Sequence, residues 1–160
     1  MAQVRTMRNS ASLAAAGAAA LAVGLLVYLC DRGASSTALL PASWALAGGP
    51  MFGALGAWLP SFVHPLAFSL FTAALLPPRA APAYGVCAGW CAVNLAFEVG
   101  QHPSVSGALG HGVQDAFGNG PMSTALARYF VRGTFDVADA VAAVLGSLAA
   151  AAVLRLNHAR

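Results

Sequence analysis

Glu98 is the only glutamate in the chain, and it closes a long apolar run in "NLAFEVGQHP" (94–103). Gln101 follows three residues on and His102 four, a spacing that puts all three on one face of a helix. Asp136 and Asp139 repeat the i, i+3 spacing in "RGTFDVADAVAAVLG" (132–146), with Arg132 four residues before Asp136. His64 stands before Pro65 in "SFVHPLAFSLFTAALL" (61–76). Carboxylates and an imidazole are groups that carry protons, so this set points to general acid–base chemistry. Glu98 would be the acid or base and His64 a second proton carrier or a ligand. Asp136 and Asp139 would orient His64 or hold a divalent ion, and Arg132 would meet a phosphate. Gln101 and His102 fall in the same group as substrate or ion-pair partners. One histidine among carboxylates suits Mg²⁺ or Mn²⁺ better than structural zinc. No metal ligand set is assigned on spacing alone, and no cofactor can be named.

Each residue also has a structural reading. Aspartates near a helix N-terminus cap free N–H groups and meet a favourable dipole. A lone histidine is more often a hydrogen-bonded structural residue than a ligand. Glu98 is harder to account for. It falls near a helix C-terminus, where the dipole disfavours a negative charge. The expectation is that it is neutral, paired with Arg132 or His64, or bound to a cation.

The elements that must position these residues are membrane helices. The 160 residues are 59% hydrophobic and 8% charged, against roughly 25% charged in soluble domains. The chain therefore reads as one integral membrane domain, 1–160, all-α. Four transmembrane helices are expected, at about 11–30, 59–78, 81–100 and 134–155. The first follows Arg5 and Arg8 like a signal peptide, but its apolar part is long enough to span and is read as uncleaved. Pro60 suits the first turn of the second, and Pro77-Pro78 its stop. Gly85 and Gly89 would let a neighbouring helix approach the third closely, and Gly146 continues a small-residue stripe with Ala142 and Ala150 in the fourth. Residues 33–58 are broken by Pro41, Gly48, Gly49, Pro50, Gly53 and Gly56 and read as irregular. Residues 101–133 read as a long outer loop with flexible "GALGHG" (107–112) and one short interfacial helix at 121–131, with Met122, Leu126, Tyr129 and Phe130 on its apolar side.

There is no lysine; all eight basic residues are arginine. Arg5, Arg8, Arg79, Arg155 and Arg160 fall on one side of this topology and Arg32, Arg128 and Arg132 on the other, so both termini are expected in the cytoplasm. His64, Glu98, Gln101, Asp136 and Asp139 then form one polar layer near the outer face. No basic stripe points to nucleic acid. Phosphate-loop, Gly-x-Ser-x-Gly and His-Glu-x-x-His motifs are absent. Ion translocation ranks lowest, because the inner halves of the spans are apolar apart from hydroxyls such as Ser69 and Thr72. Cys30, Cys87 and Cys91 read as small apolar helix residues.

Three segments, "SFVHPLAFSLFTAALL", "FEVGQ" (97–101) and "RGTFDVADAVAAVLG", resemble the VanZ-like integral membrane proteins in order and placement. The resemblance implies a bacterial inner-membrane protein with a cell-envelope role; the family's namesake is linked to teicoplanin resistance. The chain departs from the family at Pro60–Val63, where an Asp-Lys pair is usual, and at Ala143, where an asparagine is usual. Its 101–133 connection is also longer. Two functions follow. One is an outer-face polar site acting on an envelope or lipid-linked substrate. The other is a non-catalytic accessory subunit of a larger membrane complex, docking through its small-residue faces and the 101–133 loop. Sequence alone leaves open whether the chain is an enzyme.

Overall fold

Alanine and leucine, the strongest helix formers, fill the apolar runs. In the computed structural model, which describes residues 2–31, 51–76 and 83–158, every regular element is a helix. In chain order these are α1 (Ala2–Cys30), α2 (Ala54–Leu75), α3 (Ala83–Gly100), α4 (Pro103–Phe117), α5 (Pro121–Arg132) and α6 (Val137–His158). Among the described residues three stretches are long and apolar enough to cross a membrane: Ser10–Cys30, Ala54–Leu75 and Val137–Asn157. The expectations for residues 33–50, and the stop at Pro77-Pro78, lie outside the described residues.

α2 is the central helix, packed against α1, α3 and α6. α1 runs antiparallel to it. Gly17 lies so close that a Cβ there would be 3.2 Å from the Ala67 carbonyl oxygen, and Gly24 faces Val63. Leu13, Gly17, Gly24 and Val27 form the buried stripe of α1. Asp31 follows the last residue of α1, and its carboxylate reaches across to the start of α2. Oδ1 accepts the Met51 N–H at 2.7 Å and Oδ2 the Phe52 N–H at 3.0 Å. Gly56, in the first turn of α2, leaves room for this carboxylate.

α2 begins at Ala54, earlier than the expected 59, so residues 54–58 are helical rather than irregular. Pro60 and Pro65 consequently lie inside the helix, and both are fully buried. Proline removes an N–H and normally breaks a helix. Inside a bundle, neighbouring helices and local adjustment tolerate it.

α6 runs parallel to α2, with Gly146 passing the Phe62 backbone and Leu154 sharing a core cluster with Leu70. Its buried face is the expected small-residue stripe, Ala142, Gly146 and Ala150, widened by Ala143 and Ser147. α3 runs antiparallel to both. Trp90 Nε1 donates to Thr72 Oγ1 at 2.9 Å, and the Trp90 ring stacks on Phe68 with centroids 4.8 Å apart. Leu13, Leu70, Cys87, Ala150 and Leu154 tie the four long helices together at one end of the bundle.

At the other end, α4 and α5 form a helical hairpin. The expected flexible "GALGHG" loop is part of α4. Pro103 at its start is pre-set for a helix, and the glycines that weaken propensity also permit close packing. Gly110 is buried with Val131 Cγ2 where its Cβ would be, 2.7 Å away. Gly118 adopts φ 71° to end α4. The Ser123 hydroxyl then pins the turn by donating to the carbonyls of Gly118 (2.6 Å) and Gly120 (2.9 Å). α5 matches the expected helix, but its buried face is Ser123, Ala127 and Phe130. Met122 points outward and is 76% exposed.

Candidate functional site: a polar layer at the end of the bundle

The hairpin leaves α3 at Gly100 and returns to α6 at Val137, which brings Glu98 to the N-terminus of α6. Glu98 is buried, and its Oε1 accepts the Asp136 backbone N–H at 2.7 Å. Asp136 is the residue before the helix. Its own Oδ1 accepts the Ala138 N–H at 2.8 Å, and its carbonyl accepts the Ala140 N–H at 3.2 Å. Asp136 therefore caps α6, the structural role anticipated for it. Glu98 caps the same end from a different helix. The dipole that opposes it in α3 is answered by the positive N-terminal end of α6.

This arrangement corrects the expectation that Glu98 pairs with Arg132. Its partner is a backbone N–H. Arg132 lies in the exposed last turn of α5. His64 stacks on Phe68, one turn along α2, with centroids 6.0 Å apart.

Asp139 is the third residue of α6. In a capping box the acid at this position reaches back to the N–H of the cap residue. Here that N–H is donated to Glu98, and Asp139 Oδ1 is buried without a hydrogen-bond partner. Asp136 and Asp139 are both close enough to Glu98 for their charges to act on it. Among the described residues no three of His, Cys, Asp and Glu form a group that could hold a metal ion. The divalent-ion role considered for Asp136 and Asp139 finds no ligand set in these residues.

His102 parts company with Glu98. α3 ends at Gly100, and Pro103 forces the preceding residue out of helical conformation. His102 becomes the cap of α4, its Nδ1 accepting the Ser104 N–H at 3.3 Å, and its ring meets Phe135 edge-on at 5.4 Å. Gln101 stays with the layer. Its side chain packs where a Cβ of Gly133 would be, with Cγ 2.7 Å from that position, and lies beside the Tyr129 hydroxyl.

Tyr129 is the member that sequence reasoning missed. Its hydroxyl lies within electrostatic reach of Glu98, Tyr28 and Asp139. Burial, reinforced by the Glu98 charge, pushes the phenol up to about 12, so it remains a protonated donor at physiological pH. Helical spacing had assigned Tyr129 only to an apolar face. The contact depends on α5 folding back over the end of α3, which local spacing cannot show. Tyr28, at the end of α1, joins for the same reason. The layer thus draws on α1, α3, α5 and α6.

The glycines expected to pack helices also divide. Gly146 is used inside the bundle, against Phe62. Gly85 and Gly89 are exposed, and among the described residues nothing lies within 4 Å of where a Cβ on Gly89 would be. With Thr72, Val86, Trp90 and Val93 they line an open groove of about 270 Å³. Comparison with family models, with curated proteins and with solved structures finds no match for this chain.

Proposed function

We propose that this chain is a four-span accessory subunit of a bacterial inner-membrane complex, docking through the outward glycine face of α3, with both termini in the cytoplasm. The fourth span is α3. α2 and α6 run parallel, so a chain that crosses with both must return between them. α3 runs antiparallel along both, from Cys87 in the core cluster at one end to Glu98 at the other. The resemblance to VanZ-like proteins agrees with a cell-envelope setting.

The observation that carries the docking role is Gly89. The close-packing glycine of α6 is consumed within the bundle, whereas Gly89 leaves a helix surface with nothing against it among the described residues. Small residues at such positions let a second helix approach closely in lipid. The test is purification from native membranes in mild detergent. Defined partner subunits are expected with the wild type and are lost with Gly89→Leu. A wild-type chain that runs alone and monodisperse defeats the proposal.

A second reading, chemistry on a lipid-linked envelope substrate, is favoured by the unpartnered Asp139 Oδ1 beside Glu98. Glu98→Gln separates the two. The amide oxygen still accepts the Asp136 N–H, so the protein stays folded and, as an accessory subunit, keeps its envelope phenotype. A folded Glu98→Gln protein that loses the phenotype supports acid–base chemistry instead.

A further inference from the structure

α5 buries Ser123, Ala127 and Phe130, packing on α4, and its Phe130 and Tyr129 rings rest against Phe97 of α3. Met122, Arg128 and Arg132 are exposed on it. Arg128 and Arg132 are one helical turn apart, so their guanidinium groups project from the same side. Both are exposed, and among the described residues neither has a carboxylate within ion-pair distance. Their height on the bundle is set by aromatic contacts. The Phe97 ring lies 5.6 Å from Phe130 and 5.7 Å from Tyr129, so the second half of α5 runs beside the last turn of α3. The arginine pair therefore sits at the rim of the apolar bundle. Directly beside it are exposed apolar and aromatic groups, Val131 at 58% and Tyr129 at 45%. Unpaired cations on the polar side, with aromatic and aliphatic groups next to them, are what a helix at a lipid headgroup boundary presents.

We propose that the Arg128–Arg132 face of α5 binds the phosphate of an anionic phospholipid, whose acyl chains lie along the exposed Phe97 of α3. The inference rests on the reading that α3 crosses the bilayer. Guanidinium groups suit the task because their planar forks bond phosphate oxygens in pairs. A zwitterionic headgroup carries its own ammonium and gains less from the pair. Phosphatidylglycerol carries a net negative charge and gains from both arginines.

The experiment is native mass spectrometry of the detergent-purified chain. It is given equal amounts of phosphatidylglycerol and phosphatidylcholine with matched acyl chains. Each arginine at an anionic surface is worth about 5-fold, so the wild type is expected to prefer phosphatidylglycerol by roughly 30-fold. Replacing both, Arg128→Gln with Arg132→Gln, brings the preference close to parity. The same residues as lysine keep part of it, because charge survives and the fork geometry does not. Equal retention of the two lipids by the wild type overturns the proposal, as does an undiminished preference in the double glutamine variant. Displacement of the lipid by millimolar inorganic phosphate also overturns it, in favour of a soluble-anion site. Alkaline extraction of native membranes tests the underlying reading separately. A chain released into solution defeats the membrane-crossing topology, whereas an embedded chain without lipid preference defeats only the Arg128–Arg132 site.

Discussion

Replacing Gly146 with alanine adds one methyl group at the point where α6 passes α2. The new Cβ would run into the Phe62 carbonyl oxygen and lie 2.9 Å from its carbonyl carbon and 3.2 Å from its Cα, where ordinary contact begins near 3.4 Å. All three atoms belong to the backbone of a helix, so no side-chain rotation relieves the clash, and the helices must separate. Overpacking of this kind costs about 1–3 kcal/mol. Alanine recovers about 1 kcal/mol through its better helix propensity, which leaves a net loss of up to about 2 kcal/mol. At about 2–4 °C per kcal/mol for a chain of this size, the melting temperature falls by as much as roughly 8 °C. Gly89→Ala is the matched control. It makes the same chemical change in a helix, but none of the described residues lies within 4 Å of the new methyl. Only the propensity gain remains, and the isolated chain should melt about 2–4 °C higher. The assay is thermal unfolding in detergent, followed by tryptophan fluorescence with size-exclusion before and after. A Gly146→Ala protein as stable as Gly89→Ala refutes the assignment of one glycine to the interior and the other to the outer surface.

Two further outcomes follow from contacts at the polar end. Asp31→Ala removes the acceptor for the Met51 and Phe52 N–H groups, a loss of about 1.5–3 kcal/mol for bonds to a charged group. Hydrogen exchange should speed up in the first turn of α2 and leave α6 unchanged. Phe130→Ala removes the ring that fills the space beside Gly100 and stacks on Phe97, at a cost of about 3 kcal/mol. Exchange should then rise through α4 and α5 together while α2 stays protected.

The long helices were legible in the sequence because an apolar run of membrane length leaves few alternatives. Their ends were less so. Pro60 resembled a helix start, since an N-terminal proline and an interior one differ only in what surrounds them. The true start is set by Asp31, a residue 23 positions before Ala54 that only the folded chain brings near. The α4 helix was missed for a related reason. Gly107, Gly110 and Gly112 lower local propensity, and the packing of Gly110 on Val131 that compensates is tertiary. At the site, the i, i+3 pairs drew attention to Glu98, Asp136 and Asp139, which the fold brings together at the start of α6. The partner of Glu98 was not readable, because it is a backbone N–H and carries no side-chain signature. Tyr129 and Tyr28 were invisible for want of any spacing that links them to Glu98.

The contact between Gln101 and Gly133 has one more consequence. The chain leaves the bundle after Gly100 and re-enters it before Val137 at almost the same place, with Gln101 filling the space that a side chain on Gly133 would need. The α4–α5 hairpin is therefore an excursion with a closed base. A module attached in this way can lengthen, shorten or diverge during evolution without disturbing the registry of the helices beneath it.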